Sequence, residues 1–271
     1  MAKLQQDFAQ SGIDWKGRGY FGCPTPPAGV AVSADPFVTW EAALVQAKAG
    51  HFDSLPQLID LYKASTQPVL LQACAFLLGD AGPAACFQRI RQEVESSDSF
   101  ELVLDFCDAI AARGKLADVP LLLGAYEKFA TVEDADIIPC YLSALLEPVL
   151  GALSDPNQAP SLAAYRALVL KRYDQLSDDL GTDQVLVWMG EPFGVVPMAK
   201  RLLELIRNPS FPSDLRRKFE AATGIDCTAF YKAAQLQPLT VAAILERFLD
   251  SPAADHYQDG VRYFFGHRIP D

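Results

Sequence analysis

Residues 50–64 read GHFDSLPQLIDLYKA, and residues 114–128, sixty-four positions later, read GKLADVPLLLGAYEK. Ala47, Gly50, Phe52, Leu55, Pro56, Leu58, Ile59 and Tyr62 of the first copy align with Ala111, Gly114, Leu116, Val119, Pro120, Leu122, Leu123 and Tyr126 of the second. In each copy a glycine ends one apolar segment, and a proline follows a single apolar residue at the start of the next. A proline is tolerated in the first helical turn because the amide there has no intrahelical partner. The shift corresponds to two units of roughly 32 residues, each a pair of helices that buries its apolar face only by stacking on a neighbour.

Outward from this repeat, apolar residues recur at helical spacing over 39–49, 53–64, 68–79, 83–95, 99–112, 117–129 and 135–150, with no strand pattern between them. Thr39, Asp53 and Asp98 are expected N-caps, Asp98 and Glu101 have the capping-box spacing, and Gly50, Gly79 and Gly114 are expected at helix ends. Before residue 37 the chain contains GRGYFGCPTPPAG, too rich in Gly and Pro for a helix. After the Asp155-Pro156-Asn157 break, helices are expected over 161–180, ended by Gly181, and over 195–207, 213–222, 227–234 and 238–250. Between them DQVLVWMGEPFG reads as a short strand or a buried loop.

The helical period, the proline and the tyrosine of residues 37 to about 150 resemble the HEAT-type α-solenoid family. The expectation is an all-α protein: an irregular arm over 1–36, a HEAT-like solenoid of helical hairpins over 37–155, and a helical C-terminal cap over 156–271.

Composition sets the class. Half of the 271 residues are hydrophobic, enough for a sizeable core. The first residues lack the apolar core of a secretory signal and no run has the length of a membrane span, so a soluble cytosolic protein is expected. The six cysteines include no C-x-x-C pair, and Cys74, Cys86, Cys107 and Cys140 fall in apolar helical stretches, which reads as buried reduced thiols.

The net charge of −11 is uneven. Residues 37–155 carry 17 acidic against 7 basic side chains, whereas residues 156–271 carry 14 against 13. Such a field disfavours nucleic acid and favours encounter with a basic partner. Within it, Phe100, Val103, Leu104, Cys107, Ile110 and Ala111 form one face of a helix while Asp98, Glu101, Asp105 and Asp108 form the opposite arc. Like charges at these spacings each cost a few tenths of a kcal/mol, which an ordinary wet surface or a basic partner would explain. Glu133, Asp134 and Asp136 extend the acidity one hairpin further on.

No catalytic constellation competes with this reading. Asp178, Asp179 and Asp183 fail the spacing of a magnesium-binding Asp box, and Gly181 is expected to break their helix. His51, His256 and His267 lack partners at metal-ligand spacing. Neither a nucleophile signature nor a phosphate loop with its flanking strand and helix occurs. No cofactor or metal is expected.

The chain closes on DGVRYFFGHRIPD, residues 259–271, whose rings are expected to dock on the last helices with Arg262, His267 and Arg268 at their edges. This tail, FEAATGIDC at 219–227 and the Gln-Pro-Leu start at 237–239 resemble the HEAT-like immunity proteins of bacterial polymorphic toxin systems. The resemblance implies an intracellular, non-enzymatic inhibitor that binds a cognate toxin domain; the sequence leaves the oligomeric state open, with a monomer favoured. The partner-binding residues expected on that basis are Asp98, Glu101, Asp105, Asp108, Glu133, Asp134 and Asp136. The alternatives are an α-solenoid adaptor without a toxin, and an enzyme with a pocket around Arg262, His267 or Glu191.

Overall fold

The computed structural model describes residues 19–21, 35–146, 161–207, 211 and 213–270. They are mostly helical: α1 (Pro36–Lys48), α2 (Gln57–Ala64), α3 (Pro68–Ala81), α4 (Ala84–Ser96), α5 (Phe100–Arg113), α6 (Val119–Phe129), α7 (Ile137–Leu146), α8 (Leu162–Leu180), α9 (Val195–Leu205), α10 (Ser213–Thr223) and α11 (Pro238–Leu249). The strands among them form three two-residue antiparallel pairs: β1–β2 (Val187–Trp188, Glu191–Pro192), β3–β4 (Tyr231–Lys232, Gln235–Leu236) and β5–β6 (Tyr263–Phe264, His267–Arg268). The Asp155-Pro156-Asn157 break and most of the N-terminal arm lie outside the described residues.

The chain divides into two compact units, Met1–Ala84 with Gly194–Asp271, and Ala85–Phe193. The sequence changes character at 36 and 155; the contact boundaries fall elsewhere because α10 and β5 pack on α3, tying the two ends of the chain into one unit.

In the unit Ala85–Phe193, α6 packs on α5, α7 and α8, α7 also packs on α5 and α8, and β1 packs on α7. The apolar repeat positions are buried in both copies, but Tyr62 is buried where Tyr126 is half-buried, and Pro56 is half-buried where Pro120 is exposed. Leu55 and Val119, Leu58 and Leu122, and Ile59 and Leu123 are all buried. Gly50 and Gly114 both take left-handed φ, at 84° and 82°, the conformation by which a glycine closes a helix without a Cβ clash. The proline falls at the N-cap of α2 and in the first turn of α6.

In the other unit, α1, α2 and α3 pack together, α9 packs on α10 and α11, and the core includes Trp40, Leu44, Leu77, Phe219, Phe230 and Phe264. The C-terminal tail docks, with Tyr263, Phe264 and Ile269 buried and His267 and Arg268 exposed.

Several local expectations are corrected. The segment 227–234 is a 3-10 turn leading into β3, not a helix. Its period is short, and two exposed alanines at positive φ turn the chain back instead. The N-cap of α5 is Ser99, whose hydroxyl accepts from Leu102 N at 3.4 Å, so Asp98 lies outside the helix. Asp35 caps α1, leaving Thr39 inside it, and α2 starts after Pro56, not at Asp53. Gly79 is inside α3, which ends at Gly82. Cys140 is exposed, while Cys74, Cys86, Cys107 and Cys227 are buried.

Candidate partner interface

The expected acidic stripe is rearranged at one end of the unit Ala85–Phe193. Lys128, near the C-terminus of α6, pairs with Asp98 at 2.9 Å and donates to Ser97 O at 2.6 Å, and the Phe100 and Phe129 rings meet at 5.5 Å. These contacts set the start of α5 beside the end of α6. The turn that follows α6 carries Glu133, Asp134 and Asp136, all exposed. Glu101 is exposed in the first turn of α5, where an acid faces the positive end of the helix dipole, and its carboxylate contacts the Ser99 hydroxyl at 3.2 Å.

The structure therefore brings Asp98 and Glu101 to the end of the unit from which the turn holding Glu133, Asp134 and Asp136 departs. Asp105 and Asp108 lie further along α5, half-buried. Periodicity placed Asp98 on one arc with the three acids of α5 but could not see Lys128, thirty residues beyond Asp98. The Asp98 side chain is 95% exposed, so that pair is wet and screened and contributes little to stability. Among the described residues no group of His, Cys, Asp or Glu is arranged to hold a metal ion.

Next to this end runs a groove of about 420 Å³ between α4 and α6. Val94, Leu121 and Ala125 give it an apolar floor, and Arg91, Glu95 and Lys128 line it as well. Gly124 opens onto empty space, since a Cβ there would meet nothing within 4 Å. Arg91 is held by a salt bridge to Asp118, which Arg113 also approaches at 3.9 Å. Burial raises the Asp118 carboxyl while Arg113, Arg91 and Lys115 pull it down. Lys128 and Arg91 are thus both paired with acids of the same chain, Asp98 and Asp118, and the carboxylates of the neighbouring turn are exposed.

Of the residues named for a catalytic alternative, Arg262 has a structural role. Arg262 is buried and donates to Gly82 O and Gly79 O at 2.7 Å each, capping the C-terminus of α3. His267 and Glu191 are exposed strand residues, and His256 Nε2 sits 3.0 Å from Gly266 O. Gly181 ends α8 in the left-handed conformation, and Asp183 beyond it accepts from the Tyr173 hydroxyl at 2.9 Å and the Gln184 amide at 2.8 Å. These bonds hold its carboxyl below the usual range. Burial, with the Asp108 charge, pushes the Cys107 thiol up to about 12, far from the thiolate a nucleophile needs.

A buried polar cluster lies in the other unit. Glu220 of α10 accepts from Tyr20 N at 2.7 Å and Cys227 N at 3.3 Å and pairs with Arg216 at 3.0 Å. Tyr20 also donates its hydroxyl to Asp80 at 2.7 Å, and its carbonyl accepts from Lys48 Nζ at 2.8 Å. Its ring stands edge-on to Phe264 at 5.5 Å. Gly19 is required here, because a Cβ would collide with the Glu220 carboxylate. Burial pushes Glu220 up to about 7 against the pull of Arg216 and the two amides. The sequence offered only the i,i+4 spacing of Arg216 and Glu220, which reads as a surface pair; Tyr20 lies two hundred residues away.

Comparison with protein-family models, with curated protein sequences and with solved structures finds no match for the chain.

Proposed function

We propose that the protein is a binding inhibitor without chemistry of its own, an immunity protein that neutralises a cognate toxin domain by occupying its basic surface. The observation that carries this reading is the outward group Glu101, Glu133, Asp134 and Asp136 beside an open apolar-floored groove. Carboxylates so placed mimic phosphates toward a nucleic-acid-directed enzyme and steer its approach, while the groove accepts an apolar anchor. Asp98 contributes less because Lys128 already engages it, and Asp105 and Asp108 are half-buried; all three remain at the edge of the proposed surface.

The test has two stages. Coexpression with the product of the gene immediately upstream should relieve a growth arrest caused by that product alone. A Glu101→Lys/Glu133→Lys/Asp134→Lys/Asp136→Lys variant should then associate more slowly with the purified toxin domain and with a flatter salt dependence. Association kinetics equal to those of the parent protein remove the acidic end from the account, and failure of any neighbouring product to bind removes the immunity reading.

A further inference from the structure

Every polar group of Tyr20 is engaged by a distant part of the chain. Its amide donates to Glu220 Oε1 at 2.7 Å, its hydroxyl donates to Asp80 Oδ2 at 2.7 Å, and its carbonyl accepts from Lys48 Nζ at 2.8 Å. The residue is fully buried, and its ring stands edge-on to Phe264 at 5.5 Å and to Phe265 at 6.3 Å. Gly19 holds φ of 54° against the Glu220 carboxylate, where a Cβ has no room. Phe21 meets the Phe265 ring at 5.4 Å while remaining exposed. Three consecutive residues are therefore recognised in three ways: a missing side chain, a phenol together with its own amide and carbonyl, and an aromatic face.

The walls of this socket have partners besides the segment that fills it. The second oxygen of Glu220 accepts from Arg216 at 3.0 Å and from the Cys227 amide at 3.3 Å. Asp80 has Arg217 at 3.5 Å, and the Arg217 guanidinium lies 4.6 Å from the centre of the Phe76 ring. Lys48 Nζ lies 4.9 Å from the centre of the Phe265 ring as well as 5.5 Å from that of Phe21. Asp80, Arg216, Arg217 and Glu220 are all buried. Buried charges paired within the body are held in place with or without Tyr20. A site whose walls are set in advance binds a short peptide without the cost of ordering itself first.

We infer that Gly19–Phe21 is a ligand carried in the chain itself, a strap seated in a peptide-recognition site whose ligand class is a glycyl-tyrosyl segment followed by an aromatic residue. The Glu220 carboxylate selects the glycine, Asp80 selects the phenol, and Glu220 with Lys48 reads the main chain. Tethering gives the strap an effective concentration on the order of millimolar, so free peptide of the same sequence enters only when the strap is weakened. The site lies among α1, α3, α10 and the β5–β6 hairpin, in the unit that does not carry the acidic end, and it stands independently of the partner proposed there.

Full-length Gly19→Ala and Tyr20→Ala each weaken the strap and leave the residues of the walls unchanged. Calorimetric titration uses the acetylated, amidated pentapeptide Arg-Gly-Tyr-Phe-Gly, which repeats residues 18–22. Both variants should bind it about tenfold more tightly than the parent chain does, and bound peptide should raise their Tm. The same peptide with alanine in place of its first glycine should not bind, and with phenylalanine in place of tyrosine it should bind about tenfold more weakly. Circular dichroism establishes that the variants are folded. Equal affinity for parent and variants, no binding to a folded variant, or indifference to the glycine and the tyrosine each overturns the inference. Loss of the fold in both variants overturns it too, since the segment is then core and not ligand.

Discussion

The two units treat charge in opposite ways. In Met1–Ala84 with Gly194–Asp271, Glu41, Asp80, Arg216, Arg217, Glu220 and Arg262 are all buried. In Ala85–Phe193 the buried charge among the described residues is Asp118, and the carboxylates of the α5 start and the α6–α7 turn face water. A buried ion pair contributes little net stability over a hydrophobic replacement, but breaking it strands its partner at high cost. A wet carboxylate costs little to keep and acts at a distance on what approaches. The first arrangement fixes chain segments to one another; the second leaves charge available for recognition.

The most damaging substitution by this contrast is Glu220→Ala. It removes the buried carboxylate that bonds Arg216 and two backbone amides, and thermal or urea unfolding should show a loss of about 3–5 kcal/mol. A loss below about 1 kcal/mol would mean that the cluster is wet, and the contrast between the units would fail.

Glu41 sharpens the comparison through pH. Its carboxyl is buried with no hydrogen-bond partner among the described residues, and burial, helped by the Asp35 charge, pushes it up to about 7. Between about 4.5 and 7 the folded carboxyl holds a proton that the unfolded one has released. Stability therefore falls as pH rises through that window, by an amount on the order of 3 kcal/mol for this group. Glu41→Gln removes this group's share of the slope and leaves that of Glu220, which burial also pushes up to about 7: stability at pH 8 should rise relative to the parent while stability at pH 4 is nearly unchanged. Parallel pH profiles for parent and variant would show that Glu41 is not the titrating group.

Tyr20→Phe deletes only the hydroxyl that bonds Asp80 and should cost about 1–3 kcal/mol, again by equilibrium unfolding. Lys128→Ala, by contrast, breaks a screened pair and should change stability by no more than about 1 kcal/mol. The informative readout for Lys128→Ala is faster association with a basic partner, since it unmasks Asp98.

Much of the helical framework was legible from spacing alone. The 64-residue repeat aligned aliphatic positions that are buried in both copies and, at Gly50 and Gly114, glycines with the same backbone conformation, while the paired tyrosines and prolines differ in exposure. Ser161 and Gly181 bracket α8 as sequence punctuation suggested. What periodicity could not supply were partners distant in sequence. Lys128 opposite Asp98, and Tyr20 inside a cage of Asp80 and Glu220, follow from packing, which no local pattern encodes. The hairpins were half-legible: Gly190 and Gly266 sit where a two-residue turn favours glycine, whereas Ala233 and Ala234 gave no such cue and the helical propensity of alanine pointed the wrong way.

The discontinuity of the first unit has a consequence for synthesis. The cage around Tyr20 closes on α10, and the end of α3 is capped by Arg262, so the first waits for Glu220 and the second for Arg262 to leave the ribosome. Residues 85–193 emerge before the second half of that unit and can condense first, while the N-terminal stretch waits with Asp80 and Glu41 still hydrated. A nascent chain stalled before Arg262 should thus be protease-resistant between 85 and 146 and cleavable around Tyr20.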